Sequence, residues 1–155
     1  MKLPSLLAAC CIMLSSLTTQ AAAPDAALTS ATAAPISASQ GWVRWLPSGL
    51  PEAGYLTLTN HSDQAIDLLG ATSPDFASVM LHQSISNGST SHMIMIDKLT
   101  IPAHGKVEIS PGGYHLMLMA ATHPIAPGAT VQIVLKFSGA APLTVVLPVR
   151  PAGAQ

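Results

Sequence analysis

Four of the six histidines and every methionine beyond residue 13 fall between Met80 and Met119. Residues two apart on an extended strand share a face. Wherever these segments are extended, Met80 therefore lies beside His82, Met93 beside Met95, and His115 beside Met117 and Met119. Three segments thus each offer thioether or imidazole donors on one side. Thioether sulfur is soft and neutral and imidazole nitrogen is borderline, a set that suits monovalent copper and not the oxygen-seeking Mg, Ca or Mn. Zinc is the nearest competitor, but its sites are built from His, Cys and carboxylate. A single methionine is more often core filler than ligand, because it adapts to irregular packing. Met95 and Met119 are accordingly read as hydrophobic shielding beside donors, with a reserve ligand role as the alternative. His61, His104 and His123 sit among turn-forming residues, and His92 alternates with Met93 and faces away from it, so these four are given no metal role.

Strands must position such donors, and the sequence supplies them. Residues 53–60 alternate, with Leu56 and Leu58 on one side and Tyr55, Thr57 and Thr59 on the other. The same period of two recurs in Val131, Ile133, Leu135 and Phe137, and again in Leu143, Val145, Leu147 and Val149. Turn chemistry closes the runs at Asn60 to Asp63, Asn87 with Gly88, Pro111 to Gly113, and Pro127 with Gly128. No stretch of helical period competes. The pattern predicts an all-β sandwich or Greek-key barrel of seven to nine strands. Such a frame hosts many functions and implies none of them.

Composition narrows the partners. The chain has 155 residues, enough for one domain after a leader. Six Lys and Arg scattered singly, and a formal net charge of -1, give no footprint for a phosphate backbone or an anionic bilayer. Residues 1–23 read as a signal peptide: Lys2, an apolar block from Leu6 to Leu14, then Ala21, Ala22 and Ala23. The block is shorter than the ~20 residues that span a bilayer, which predicts export without a transmembrane segment. Leu7, Ala8, Ala9 and Cys10 also fit a lipoprotein processing box, the less favoured route, which would leave a lipid on Cys10. Both cysteines, Cys10 and Cys11, fall inside this leader. The remaining chain has no thiol for a disulfide, a nucleophile, a CxxC zinc site or a blue-copper centre. Residues 24–39, rich in Ala, Ser, Thr and Pro, read as a flexible linker, the folded domain as residues 40–150, and residues 151–155 as a tail.

The spacing is specific. His82, ten residues, Met93, twenty-one residues, His115, one residue and Met117 form a pattern with two long fixed gaps. It resembles the metal-binding signature of the periplasmic PCuAC copper chaperones. Gly112, Gly113, Tyr114, His115, Leu116, Met117, Leu118, Met119 is similar to that family's glycine-glycine-x-His-x-Met-Leu-Met segment, and the likeness extends through Trp42, Val43, Arg44 and residues 55–60, over roughly residues 40 to 150. The resemblance implies a cupredoxin-like β-sandwich that binds one Cu(I) through His82, Met93, His115 and Met117. It further implies delivery of that ion for the copper centres of cytochrome c oxidase, particularly the dinuclear site of subunit II, beside thiol-bearing Sco-type proteins. The His and Met-rich tail that some members carry for additional copper is missing here, and one ion per chain is expected. Copper buffering without a dedicated recipient would use the same ligands.

Catalysis is not expected. Copper oxygenases with a β-sandwich use a mature amino-terminal His, whereas cleavage near Ala21 to Ala23 leaves Ala or Pro at the front. No Ser, His and acid combination is distinguished by its spacing either.

Overall fold

A computed structural model describes residues 34–47 and 50–153. The signal peptide, the Cys10 box and most of the linker lie outside the described residues. Among the described residues there are ten strands and no helix: β1 Ile36–Arg44, β2 Glu52–Asn60, β3 Ile66–Thr72, β4 Phe76–Ser86, β5 Ser91–Met95, β6 Leu99–Ile101, β7 Lys106–Ile109, β8 Tyr114–Ala121, β9 Thr130–Ser138 and β10 Leu143–Arg150. The strands outnumber the range expected from periodicity because β6 and β7, of three and four residues, are too short to display an alternation. β1 also starts at Ile36, inside the segment assigned to the linker. Ile36 is buried, and Ser37 and Ala38 take Thr59 and Leu58 as partners, so pairing orders a stretch whose composition alone reads as tether.

The strand order β5-β4-β8-β2-β1-β10-β9-β3-β6 folds into a cupredoxin-like sandwich, with β7 paired to the free half of β2. β8 takes Glu52 to Gly54 of β2 and β7 takes Leu56 to Thr59, and the turn between β7 and β8 lets one strand hold both. That turn is closed by Gly113 N–H donating to the Ser110 carbonyl at 3.0 Å, with Gly112 at φ 83°, a backbone that glycine adopts without a Cβ clash. Parallel pairing of Val43 with Val149 and Arg44 with Arg150 joins the β1 side to the β10 side. Val43, Leu56, Leu58, Leu81, Leu116, Leu118, Val131, Ile133 and Leu135 fill the space between the two layers. Burying each such side chain contributes ~1.5–3 kcal/mol. Their alternation partners are thereby forced onto the outer face.

Candidate metal centre

The donor segments become neighbours through β5-β4-β8. The hairpin between β4 and β5 turns on Asn87, whose N–H donates to the Thr90 carbonyl at 3.1 Å while its Oδ1 accepts from Thr90 N and Thr90 Oγ1 at 3.1 and 2.7 Å. Counting outward from that turn fixes Ser86 opposite Ser91, Ser84 opposite Met93 and His82 opposite Met95. On its other side β4 pairs with β8, placing His82 opposite His115, Met80 opposite Met117 and Ser78 opposite Met119. Residues directly opposite share a face. His82, Met93, His115 and Met117, the four residues of the spacing pattern, therefore lie on one side of three adjacent strands, with Met80, Met95 and Met119 among them. Leu81, Leu116 and Leu118 alternate with them and anchor the same strands in the core.

The two imidazoles form the centre of this face. Their ring centroids are 5.7 Å apart and the planes meet edge to face at 76°. His115 is buried at 7% exposure. Its Nδ1 lies 3.4 Å from the Gly113 carbonyl oxygen, to which it donates as N–H, leaving Nε2 with a bare lone pair. Burial, opposed by that hydrogen bond and reinforced by the nearby His82 and Arg44, holds the His115 imidazole below its ordinary value of 6.5. The neutral, ligating form is thus the one the fold prefers. Nδ1 of His82 is buried without a hydrogen-bond partner. A polar atom in that condition ordinarily costs ~1–3 kcal/mol unless something else satisfies it.

The thioethers sit differently. Met117 is half-buried on the central strand β8, whereas Met93 and Met95 are 59% and 64% exposed on β5, whose five residues all face water at least in part. Met95 stands in register with His82, and Met93 is two residues along the strand, opposite Ser84. Strand periodicity alone makes these two equivalent; counting out from the Asn87 turn separates them. Among the described residues no three of His, Cys, Asp and Glu come together. The side-chain donors that share the face of both imidazoles are thioethers.

The other histidines are engaged elsewhere. His61 shares a 2.7 Å hydrogen bond with Ser37, His104 with Asp63 at 2.7 Å and His123 with Asp75 at 2.9 Å, while His92 is opposite Ile85 on the reverse side of the hairpin. A cavity of ≈ 930 Å³ opens at one end of the sandwich, lined by Trp45, Glu52, Phe76, Leu118, Met119 and Ile125 among others, and contains none of the four patterned residues.

Residues 36–149 match the sequence family described as "Putative lipoprotein LpqE-like". The chain belongs to the LpqE-like family. This LpqE-like chain is similar to "Putative lipoprotein Lxx21020" of Leifsonia xyli subsp. xyli (strain CTCB07), at 30% identity over 116 residues, 74% of this chain and 69% of that protein. Among solved structures, the Cu(I) form of DR1885 from Deinococcus radiodurans is 37% identical over 81% of this chain and 85% of its own, with a TM-score of 0.61. The copper-bound PCuAC domain of PmoF2 is 25% identical, covers 76% of this chain and 93% of its own, and has a TM-score of 0.64. The fold of the LpqE-like chain is that of PCuAC domains.

Proposed function

We propose that this protein binds one Cu(I) ion through His82, Met93, His115 and Met117 and delivers it in the periplasm for assembly of the copper centre of cytochrome c oxidase subunit II, without catalysing a reaction. One observation carries the reading: the hairpin and the β4-β8 pairing bring all four side chains to one face of three strands. An imidazole nitrogen binds a first-row ion such as zinc at about 2.0–2.1 Å. Rings with centroids 5.7 Å apart are of a size to hold one such ion between them. The copper-loaded states of two structures with this fold, DR1885 and PmoF2, support the choice of metal.

The arrangement suits delivery. Neutral thioethers leave without taking a proton, and those on β5 face outward. The recipient's thiolate or imidazole donors would displace Met93 first, the ion would pass through a shared coordination, and the less exposed His115 would let go last. A Sco-type thiol protein is a second candidate partner. Export, with or without a lipid on Cys10, fits the lipoprotein name of the Leifsonia relative. Among the described residues no helix is long and apolar enough to cross a membrane.

The test is Cu(I) affinity by competition with a chelator under reducing conditions, with native mass spectrometry for stoichiometry. Met93→Leu keeps bulk and apolarity, so the expected result is an unchanged melting curve with weakened Cu(I) binding. Equal affinity in that variant contradicts its place among the ligands. Incubating the loaded protein with apo subunit II then separates delivery from copper buffering, since only a delivery protein gives up its ion to that acceptor.

A further inference from the structure

The chain has only two arginines, Arg44 and Arg150, and the fold places them directly opposite each other on β1 and β10. Like charges in that relation destabilise a sheet. Among the described residues no carboxylate relieves them: Lys98 pairs with Asp67 and Lys106 with Glu108, but neither arginine joins an ion pair. Glu52 is close in sequence to their rung, yet it is opposite Leu118 and lies on the inner face. Aromatic rings hold the two cations in place instead. The Arg44 guanidinium carbon lies 5.6 Å from the Tyr55 ring centre and that of Arg150 lies 5.4 Å from the Trp42 ring centre, and the two rings pack against each other at 4.8 Å. Nε of Arg44 is buried without a partner. Two cations are thus fixed side by side at a cost that nothing within the domain offsets with charge.

Their position is specific too. Register runs from Met80 to Met117, from Met117 to Ala53, from Ala53 to Arg44 and from Arg44 to Arg150, so the arginines occupy the same face as the candidate metal centre. Adjacent strands are ~4.8 Å apart, which puts Arg44 about two strand spacings from Met117. One continuous face thus offers exposed thioethers at the β5 edge, imidazoles in the middle and two fixed, half-buried guanidiniums at the far side.

We propose that Arg44 and Arg150 form a docking site for carboxylates on the surface of the protein that exchanges copper with this one, so that the partner's own metal donors are laid over Met93 and Met95. The inference rests on the copper-delivery reading. Charge complementarity argues for it, because a guanidinium fork pairs with carboxylate in a bidentate manner and, among the described residues, the pair meets no acid of its own chain. Continuity with the donor face argues for a metal-exchanging protein over a free anion, since an ion moving between two proteins requires both donor sets to be apposed.

The experiment uses two synthetic acceptor peptides with one Cys-x-x-Cys copper site, flanked in one by glutamates and in the other by glutamines. Rates of Cu(I) transfer from the loaded protein are measured at about 10 mM and about 150 mM ionic strength, where charges are felt over about 30 and 8 Å. The expected result is transfer about tenfold faster to the glutamate peptide at low salt, an advantage that shrinks at the higher salt. Lys136→Gln keeps that advantage and Arg44→Gln/Arg150→Gln abolishes it. Equal rates for the two peptides, or the same advantage in the double variant, would overturn the proposal. The salt series on the unaltered protein decides between these outcomes even where the double variant does not fold. Tryptophan fluorescence of the copper-free protein, titrated with each peptide, tests docking apart from metal: a protein that binds the glutamate peptide but takes up no Cu(I) refutes the delivery reading and leaves the docking site standing. Binding to vesicles of anionic phospholipid or to inorganic phosphate in preference to the glutamate peptide also overturns it.

Discussion

Lowering the pH should loosen copper in a way that counts the imidazoles. A ligating imidazole must be neutral, so once the solution is more acidic than the ring's own pKa, each further pH unit costs about tenfold in affinity, or 1.36 kcal/mol, for every such ring. Thioethers take no part in this. Two imidazoles on the donor face set a limiting slope of about two in the logarithm of the Cu(I) dissociation constant per pH unit. Burial shifts where the fall begins. His115 is held below 6.5 chiefly by desolvation, so protons compete for it only in more acidic solution than they would for a free imidazole. The contribution of His115 should be flat from pH 8 to about 6.5 and steepen below that. The same sign governs the metal-free fold: the unfolded chain binds the proton more readily, so stability falls as pH drops below 6.5 and levels off beneath the folded value. The assay is chelator competition for Cu(I) in steps from pH 8 to 5, with His115→Gln and Met117→Leu beside the unaltered protein. His115→Gln should reduce the limiting slope to about one, whereas Met117→Leu should weaken binding and leave the slope alone. A dissociation constant that does not change across the whole range would refute the participation of His82 and His115, and a slope kept at two in His115→Gln would refute that of His115.

Three further outcomes follow from particular contacts. Met95 is in register with His82, so it should substitute in part for a missing Met93: the double Met93→Leu/Met95→Leu should lose far more Cu(I) affinity than the sum of the single changes, and strict additivity would deny Met95 any reserve role. Glu52 is 7% exposed with Oε2 unpartnered, and desolvation raises its carboxyl above 4.5. Its penalty is absent below pH 4.5 and grows as pH rises through the folded value, so Glu52→Gln should stabilise the protein by about 1–3 kcal/mol near pH 7.5 and by little at pH 4, read as a pH-dependent gap between melting temperatures. Gly41 follows Gln40, which has φ 54° at the irregularity in β1, and a Cβ there would run into the Leu147 side chain. Gly41→Ala should therefore cost about 1–3 kcal/mol in chemical denaturation, and an unchanged midpoint would show that Leu147 moves aside freely.

β9 is legible in the sequence because it buries one side only, whereas β2 is buried on both faces from Glu52 to Leu56. Val131, Ile133, Leu135 and Phe137 are all buried, and the period of two needs no further information to place them. The segment from Ile36 to Ser39 misleads because Ser and Ala declare no face; only its pairing with Thr57 to Asn60, far along the chain, makes it a strand. At the candidate site, residue types and gaps name the side chains, and local periodicity shows which neighbours stand together. The relation between segments is not local. That His82 meets His115 depends on β4 pairing with β8. Arg44 and Arg150 are more extreme, since nothing near either residue announces the other, and a parallel pairing of the first and last strands is what creates the doublet.

β5 is the terminal member of the strand order, hydrogen-bonded along one edge only and wet on every residue. Its amides are thus the ones that should exchange with solvent soonest. A cation gripped jointly by this outermost ribbon and by β8 would act as a clasp, fastening the loosest part of the sheet to one of its stiffest. Loading would then be visible as slowed deuterium uptake between Ser91 and Met95, and the lifetime of the clasp, set by how often the ribbon lifts, would govern how fast the cargo can be surrendered.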